Sequence, residues 1–302
     1  MYALLFNSSF VTLFFMNIAF LLKRHKLAYC TLLVSNVIIA FLLASRWLVS
    51  GYFPSSNLYE SLLFLTWCLT LLQVCFPFFN GNTNGNTMKR YTLINQITSP
   101  MPLLLHAFSS LNIPTQMGKI QPLVPALKSN WLIMHVSVMI LSYAALLIGS
   151  MLAIVYCTFT LVNSFTQSPF YKTLMHTTGM TPLYSLNRDY DTYGKHDDWQ
   201  ILDTLSYQFI SIGFPLLTLG IVSGSVWANE AWGSFWNWDI KETWSLITWL
   251  LYAFYIHSRL QLQWQGKPSA LVASIGLFVV LICYLGVNLM ATGMHSYGWL
   301  TL

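Results

Sequence analysis

Residues 131–161 read WLIMHVSVMILSYAALLIGSMLAIVYCTFTL, an apolar run with no Asp, Glu, Lys or Arg. At 1.5 Å rise per residue, about 20 residues cross the ~30 Å hydrocarbon layer of a bilayer, so the run reads as a transmembrane helix. Working outward, comparable runs fall near 3–22, 28–50, 60–79, 91–111, 205–226, 243–262 and 269–292, the fourth interrupted by Pro100 and Pro102. The expected fold is all-α, a polytopic transmembrane bundle of about eight spans forming one integral membrane domain over 1–302. Composition agrees: 302 residues that are 56% hydrophobic and 8% charged cannot cover a soluble domain with polar surface. Runs near 20 residues exclude a β-barrel, whose strands alternate over about ten. The first run lacks a basic leader and a small-residue cleavage site, so it reads as a retained helix rather than a signal peptide.

Charge sets the expected topology. Ten of the fourteen basic residues fall in alternate connections: Lys23, Arg24 and Lys26; Lys89 and Arg90; Lys172, Arg188 and Lys195; Arg259 and Lys267. Arg46, Lys119, Lys128 and Lys241 lie on the other side, which the positive-inside rule makes the exported face. Both termini then lie on that face. The net charge of +5 reports topology and implies no nucleic-acid partner. The polar connection 80–90 reads as a flexible linker, and 162–204 as a solvated loop without a site.

The segment 227–249, WANEAWGSFWNWDIKETWSLITW, holds six of the chain's twelve tryptophans. An interfacial belt scatters Trp over many helix ends, whereas here Trp227, Trp232, Trp236 and Trp238 are expected in one exported-face loop, 227–243, with Trp244 and Trp249 opening the next helix. Indole faces that can stack suit a flat conjugated ligand. Asp239 and Glu242 have the spacing of a capping box, with Asp239 as N-cap. Of seven histidines, His135 and His295 are expected on the exported face beside this loop, a plausible axial pair for an iron porphyrin. His257 is expected within the bilayer, where an ionisable group implies function, with no other histidine of this chain at matching depth. His106 is ambiguous, and His25, His176 and His196 read as loop residues. The five cysteines fall inside apolar runs without a C-x-x-C pair and read as core residues, so reducing equivalents must come from elsewhere.

The run 213–259, GFPLLTLGIVSGSVWANEAWGSFWNWDIKETWSLITWLLYAFYIHSR, with NLYES at 57–61, SNWLIMHVSVM around His135 and GMHSYG around His295, resembles the CcsA-type cytochrome c biogenesis family of haem-handling membrane proteins. The resemblance implies that the chain holds haem b, iron protoporphyrin IX, as a transported substrate and presents it for covalent attachment to apocytochromes c. It implies His135 and His295 as haem ligands, Trp232, Trp236, Trp238, Asp239 and Trp244 in the haem-contacting segment, and His257 on the outward path of haem. Implied partners are a CcsB-type (ResB-like) membrane protein carrying a second intramembrane histidine, apocytochromes with a C-x-x-C-H segment, and a thiol-reducing pathway. Ile240 departs from the plastid members, which place Pro there; the motifs otherwise look plastid-encoded, implying a thylakoid membrane with the Trp loop in the lumen, or else a cyanobacterial or other bacterial membrane. Whether the chain itself is an enzyme or a membrane component of a haem-attachment complex is left open. The alternatives are a haem-delivery protein of the CcmC or CcmF type and a transporter that binds no haem. A quinone-linked b-type cytochrome would need paired histidines 13 or 14 residues apart on one helix, a spacing absent here.

Overall fold

The computed structural model describes residues 2–79, 85–111, 128–168 and 192–290. Its helices are α1 (Tyr2–Leu21), α2 (His25–Ser50), α3 (Leu58–Phe79), α4 (Gly85–Thr98), α5 (Pro100–Leu111), α6 (Asn130–Gln167), α7 (Thr192–Trp232), α8 (Ile240–Leu260) and α9 (Lys267–Leu281). A π-helical turn, Ile282–Gly286, and a short α10, Val287–Met290, continue α9. No strand occurs among the described residues, so the polytopic helical bundle stands.

Six helices are long and apolar enough to cross a membrane: Tyr2–Leu21, His25–Ser50, Leu58–Phe76, Asn130–Thr166, Trp199–Trp232 and Lys267–Leu289. The other two expected spans differ for local reasons. The segment 91–111 is broken into α4 and α5 at Ser99–Pro100, because proline disfavours helical geometry in the residue before it. Helix α8 has 21 residues, but Lys241, Glu242 and His257 dilute its apolarity. Helix α7 is longer than expected: its final turns include Trp227 and Trp232, and only 233–239 lies between α7 and α8.

Helices α6 and α7 run antiparallel in close contact, and the glycines of α7 explain how. A Cβ on Gly213 would meet the Leu146 side chain at 2.8 Å, and one on Gly220 the Met139 sulfur at 2.5 Å. Each step of seven residues along one helix is answered by seven along the other. Gly149 of α6 mirrors the arrangement, its absent Cβ lying 2.8 Å from Ile210 and 3.0 Å from the Ser206 carbonyl. Small residues permit backbones to approach where lipid supplies no hydrophobic drive, and the Ser142 hydroxyl adds a 2.8 Å bond to the Gly213 carbonyl.

Polar contacts fix both ends of the bundle. At one end the Arg259 guanidinium donates to Asp203 at 2.8 Å and lies 4.8 Å over the Tyr207 ring. Asp203 also accepts from the Gly266 N–H at 3.1 Å, so it joins the start of α7, the end of α8 and the start of α9. Near the opposite end Arg46 donates to Glu60 at 2.8 Å, both fully or almost fully buried. His106 is buried there too, its Nε2 2.8 Å from the Ser9 hydroxyl and its ring 4.2 Å from Phe6.

Two stability measurements follow from these contacts. Gly149→Val should lower stability in detergent by about 1–3 kcal/mol through overpacking, while Leu219→Ala, on the exposed face of α7, changes it by less than about 0.5 kcal/mol. Equal thermal unfolding of the two variants would contradict the close α6–α7 packing. In a double-mutant cycle, Asp203→Ala or Arg259→Ala alone should cost about 3–5 kcal/mol, and the pair clearly less than the sum.

Candidate functional site

His135 sits in the second turn of α6, downstream of the N-cap Ser129, whose side chain accepts from the Trp131 N–H. Its imidazole rests on α7: Nδ1 donates to the Gly220 carbonyl at 2.6 Å, and a Cβ on Gly224 would lie 2.5 Å from the ring. A carbonyl can only accept, so this bond places the proton on Nδ1 and makes Nε2 the lone-pair nitrogen of the neutral ring. Such backbone-directed orientation is how ligating histidines are commonly set. The Trp227 ring lies parallel to the imidazole, within 10° at 6.4 Å, and Trp232 packs edge-on against Trp227 at 4.8 Å. The Ser129 hydroxyl also bonds Glu230, which ties the start of α6 to the end of α7.

These groups form one side of a cavity. His135, Met139, Tyr143, Gly224, Trp227, Phe235 and Trp236 line it, together with Lys241 and Glu242 at the start of α8. Residues 55–58 and Ser61 form a further wall, and Cys283, Tyr284 and Asn288 close it from α9 and its continuation. His135 and two tryptophans of the Trp segment, Trp227 and Trp236, thus line one cavity.

Two helix starts shape the walls. Before α8, Asp239 is the N-cap of a capping box, as its spacing with Glu242 predicts. Glu242 Oε2 accepts from the Asn237 N–H at 2.7 Å and the Asp239 N–H at 3.2 Å, fixing the connection that carries Trp236. Trp238 adopts φ +55°, a left-handed conformation costly for a side chain of this size. At the start of α3, Asn57 Oδ1 accepts from the Glu60 N–H at 2.9 Å, and Glu60 Oε2 accepts from the Ser56 N–H at 2.9 Å and its hydroxyl at 2.7 Å. The other Glu60 oxygen takes Arg46. The π-turn supplies the floor, where Tyr284 donates to Ser61 at 2.9 Å and its ring lies 5.8 Å from Tyr143. Single π-turns within α-helices frequently mark functional sites, because the added residue re-aims the side chains.

The remaining expected residues distribute unevenly. Trp232 reaches the cavity through Trp227, Trp238 is exposed and touches Trp236 edge-on at 5.9 Å, and Trp244 packs against the buried core rather than lining the cavity. His257 lies in the last turn of α8, exposed on the bundle's flank and away from the cavity. His295 lies outside the described residues; Asn288 is the last described cavity residue before it. All five cysteines are free, and only Cys283 lines the cavity. No cluster of three or more His, Cys, Asp or Glu able to hold a metal occurs among the described residues. Among the described residues lining the cavity, His135 is the only imidazole.

Sequence reasoning missed the wall at 55–61, the basic side chain of Lys241, and the π-turn. NLYES at 57–61 entered only through resemblance, and Lys241 only as a topological charge.

Comparisons with known proteins place this architecture. The cytochrome C assembly protein family matches residues 55–295. Proteins named cytochrome c biogenesis protein CcsA are similar: that of Trieres chinensis is 46% identical over 281 residues, 89% of this chain and 85% of its own, and that of Cyanophora paradoxa 45% over 307 residues, 95% and 92%. The Marchantia polymorpha protein is 47% identical over 270 residues, 84% of this chain and 82% of its own. The solved structure of cytochrome c heme lyase CcmF aligns with TM-score 0.59 at 16% identity, over 94% of this chain but only 45% of its own length, a likeness of fold. With a family match spanning the cavity's residues and relatives this similar along most of their length, the chain belongs to the cytochrome c assembly protein family.

Proposed function

We propose that this cavity holds haem and presents it for covalent attachment to apocytochromes c. The observation that carries the reading is His135, seated by Gly220 and Gly224 with Nδ1 committed to a carbonyl and its ring parallel to Trp227 in a cavity walled by indoles. Membership of the family and the names of its relatives support it. Haem b is the substrate that fits, with His135 as one axial ligand and His295 as the second.

A cavity of about 230 Å³ lies below the usual range for an enclosed ligand, about 300–1,000 Å³, so it receives an edge or face of the macrocycle and leaves the rest accessible. Each thiol of an approaching C-x-x-C-H segment adds across a vinyl group: sulfur bonds the carbon next to the ring, and the thiol hydrogen goes to the terminal carbon. No oxidant is consumed. The chain's own contribution is orientation, since a fixed vinyl beside a thiol gains most of its rate from proximity. The thiols must arrive reduced, and the apocytochrome histidine replaces one holding ligand.

His257, exposed on the flank of α8, suits a second role at an interface with a CcsB-type partner, along the path by which haem arrives. The plastid thylakoid membrane, with the cavity facing the lumen, is the compartment consistent with the alternating charge of the connections and with the photosynthetic sources of the relatives.

Two measurements test this. His135→Ala, and separately Gly224→Val, which drives a side chain into the imidazole, should each lower haem retained on purification at least about tenfold, with added imidazole restoring it in His135→Ala. Unchanged haem content in both would favour the transporter reading. His257→Ala should reduce cytochrome c maturation in the intact complex, and normal maturation would remove His257 from the path.

A further inference from the structure

The two ion pairs found among the described residues are used differently. Asp203 and Arg259, 56 residues apart in sequence, help join three helices at one end of the bundle. Arg46 and Glu60 are only 14 residues apart and link α2 to α3, which residues 51–57 already keep adjacent. Both lie inside candidate membrane spans, Glu60 fully buried and Arg46 almost so. A buried ion pair contributes little net stability against apolar residues of similar volume, and ionisable groups inside a membrane bundle commonly mark function. The effect of this pair falls on the connection between the two helices.

That connection contains no helix or strand, yet it is pinned along its length. Gly51 ends α2 in a left-handed turn at φ +73°, its N–H donating to the Trp47 carbonyl at 2.9 Å. The Ser50 hydroxyl donates to the Tyr52 carbonyl at 2.9 Å, and Phe53 packs edge-on against Trp47 and Phe64, each at 5.3 Å. Glu60 fixes the remainder. One of its carboxylate oxygens takes Arg46 at 2.8 Å, the other takes the Ser56 N–H and hydroxyl, and the Asn57 side chain accepts from the Glu60 N–H. Residues 55–58, held in this way, line the same cavity as His135. Ser61, one residue past Glu60, is bound by the cavity residue Tyr284 of the π-turn.

We propose that Arg46 and Glu60 are positioning residues of the haem site, holding residues 55–58 as a preformed wall of the seat in which His135 sits. The inference rests on the haem reading above. Neither residue lines the cavity, so their influence passes through Ser56 and Asn57. A flat ligand held at one axial nitrogen can still tilt and turn about that bond. A wall that is ordered before the ligand arrives restricts this motion, whereas a wall ordered only on binding would subtract its own ordering from the affinity.

The test uses the purified full chain in detergent, titrated with haem and followed by amide hydrogen exchange over residues 53–62. In the wild type, haem should slow exchange there at least about threefold. The paired replacement Arg46→Met with Glu60→Met should unfold near the wild-type temperature, because apolar residues of similar volume can replace a buried pair. It should nonetheless bind haem about tenfold more weakly and, without haem, exchange the 53–62 amides at least about tenfold faster. Arg46→Lys, which keeps a cation beside Glu60, should retain haem affinity within about threefold. Three results would overturn the proposal while leaving haem binding intact: wild-type affinity in the folded paired variant, a fall in affinity matched by a fall in unfolding temperature, or wild-type exchange over 53–62 unmoved by haem. If the paired variant does not fold, the wild-type exchange decides alone. Binding of no haem by the wild type would overturn the haem reading itself.

Discussion

The whole arrangement depends on how closely α6 approaches α7. Where Gly213, Gly220 and Gly224 present no Cβ, the backbone of α7 becomes a surface against which α6 side chains lie directly. In a membrane the helices gain nothing from excluding lipid, so van der Waals contact and interhelical hydrogen bonds must do the work, and both strengthen as the backbones close. The same closeness brings the Gly220 carbonyl within 2.6 Å of His135 Nδ1. Packing and the seating of His135 are therefore one feature. A bulkier α7 would separate the helices and also release the His135 imidazole from the Gly220 carbonyl.

A second constraint is the repeated use of a glutamate at the third position of a helix to fix what precedes it. Glu242 orders the connection bearing Trp236, and Glu60 orders the wall at 55–57. Loops in a membrane protein cannot rely on hydrophobic collapse for definition, because lipid is as apolar as their side chains. Side-chain oxygens that satisfy the exposed N–H groups of a helix start supply the definition instead. Both loops then become fixed walls of one cavity.

The two ends of the bundle divide the labour. Asp203 and Arg259 lock α7, α8 and α9 together at the end away from the cavity, through six hydrogen bonds made by the two residues. The cavity end instead carries the π-turn, the strained Trp238 and an uncovered aromatic surface including Phe235.

Much of this was legible in the residues alone. Apolar run lengths gave the helical bundle, because only a helix satisfies its backbone within a single segment. The D-x-x-E spacing gave the start of α8, and charge alternation put His135 with the tryptophans, since both signals are local. The tertiary structure alone decided which tryptophans matter. Trp227 and Trp236 line the cavity while Trp244 packs into the core, because facing depends on where neighbouring helices lie, and α7 runs on through Trp232 where a loop was expected. It also brought residues 55–58 and Ser61 into one cavity with Trp227, Trp236 and Lys241, a juxtaposition of positions more than about 160 residues apart that no spacing in the chain records. Sequence fixes what each helix is made of; contact between helices, set here by three glycines and two buried glutamates, decides what they jointly enclose.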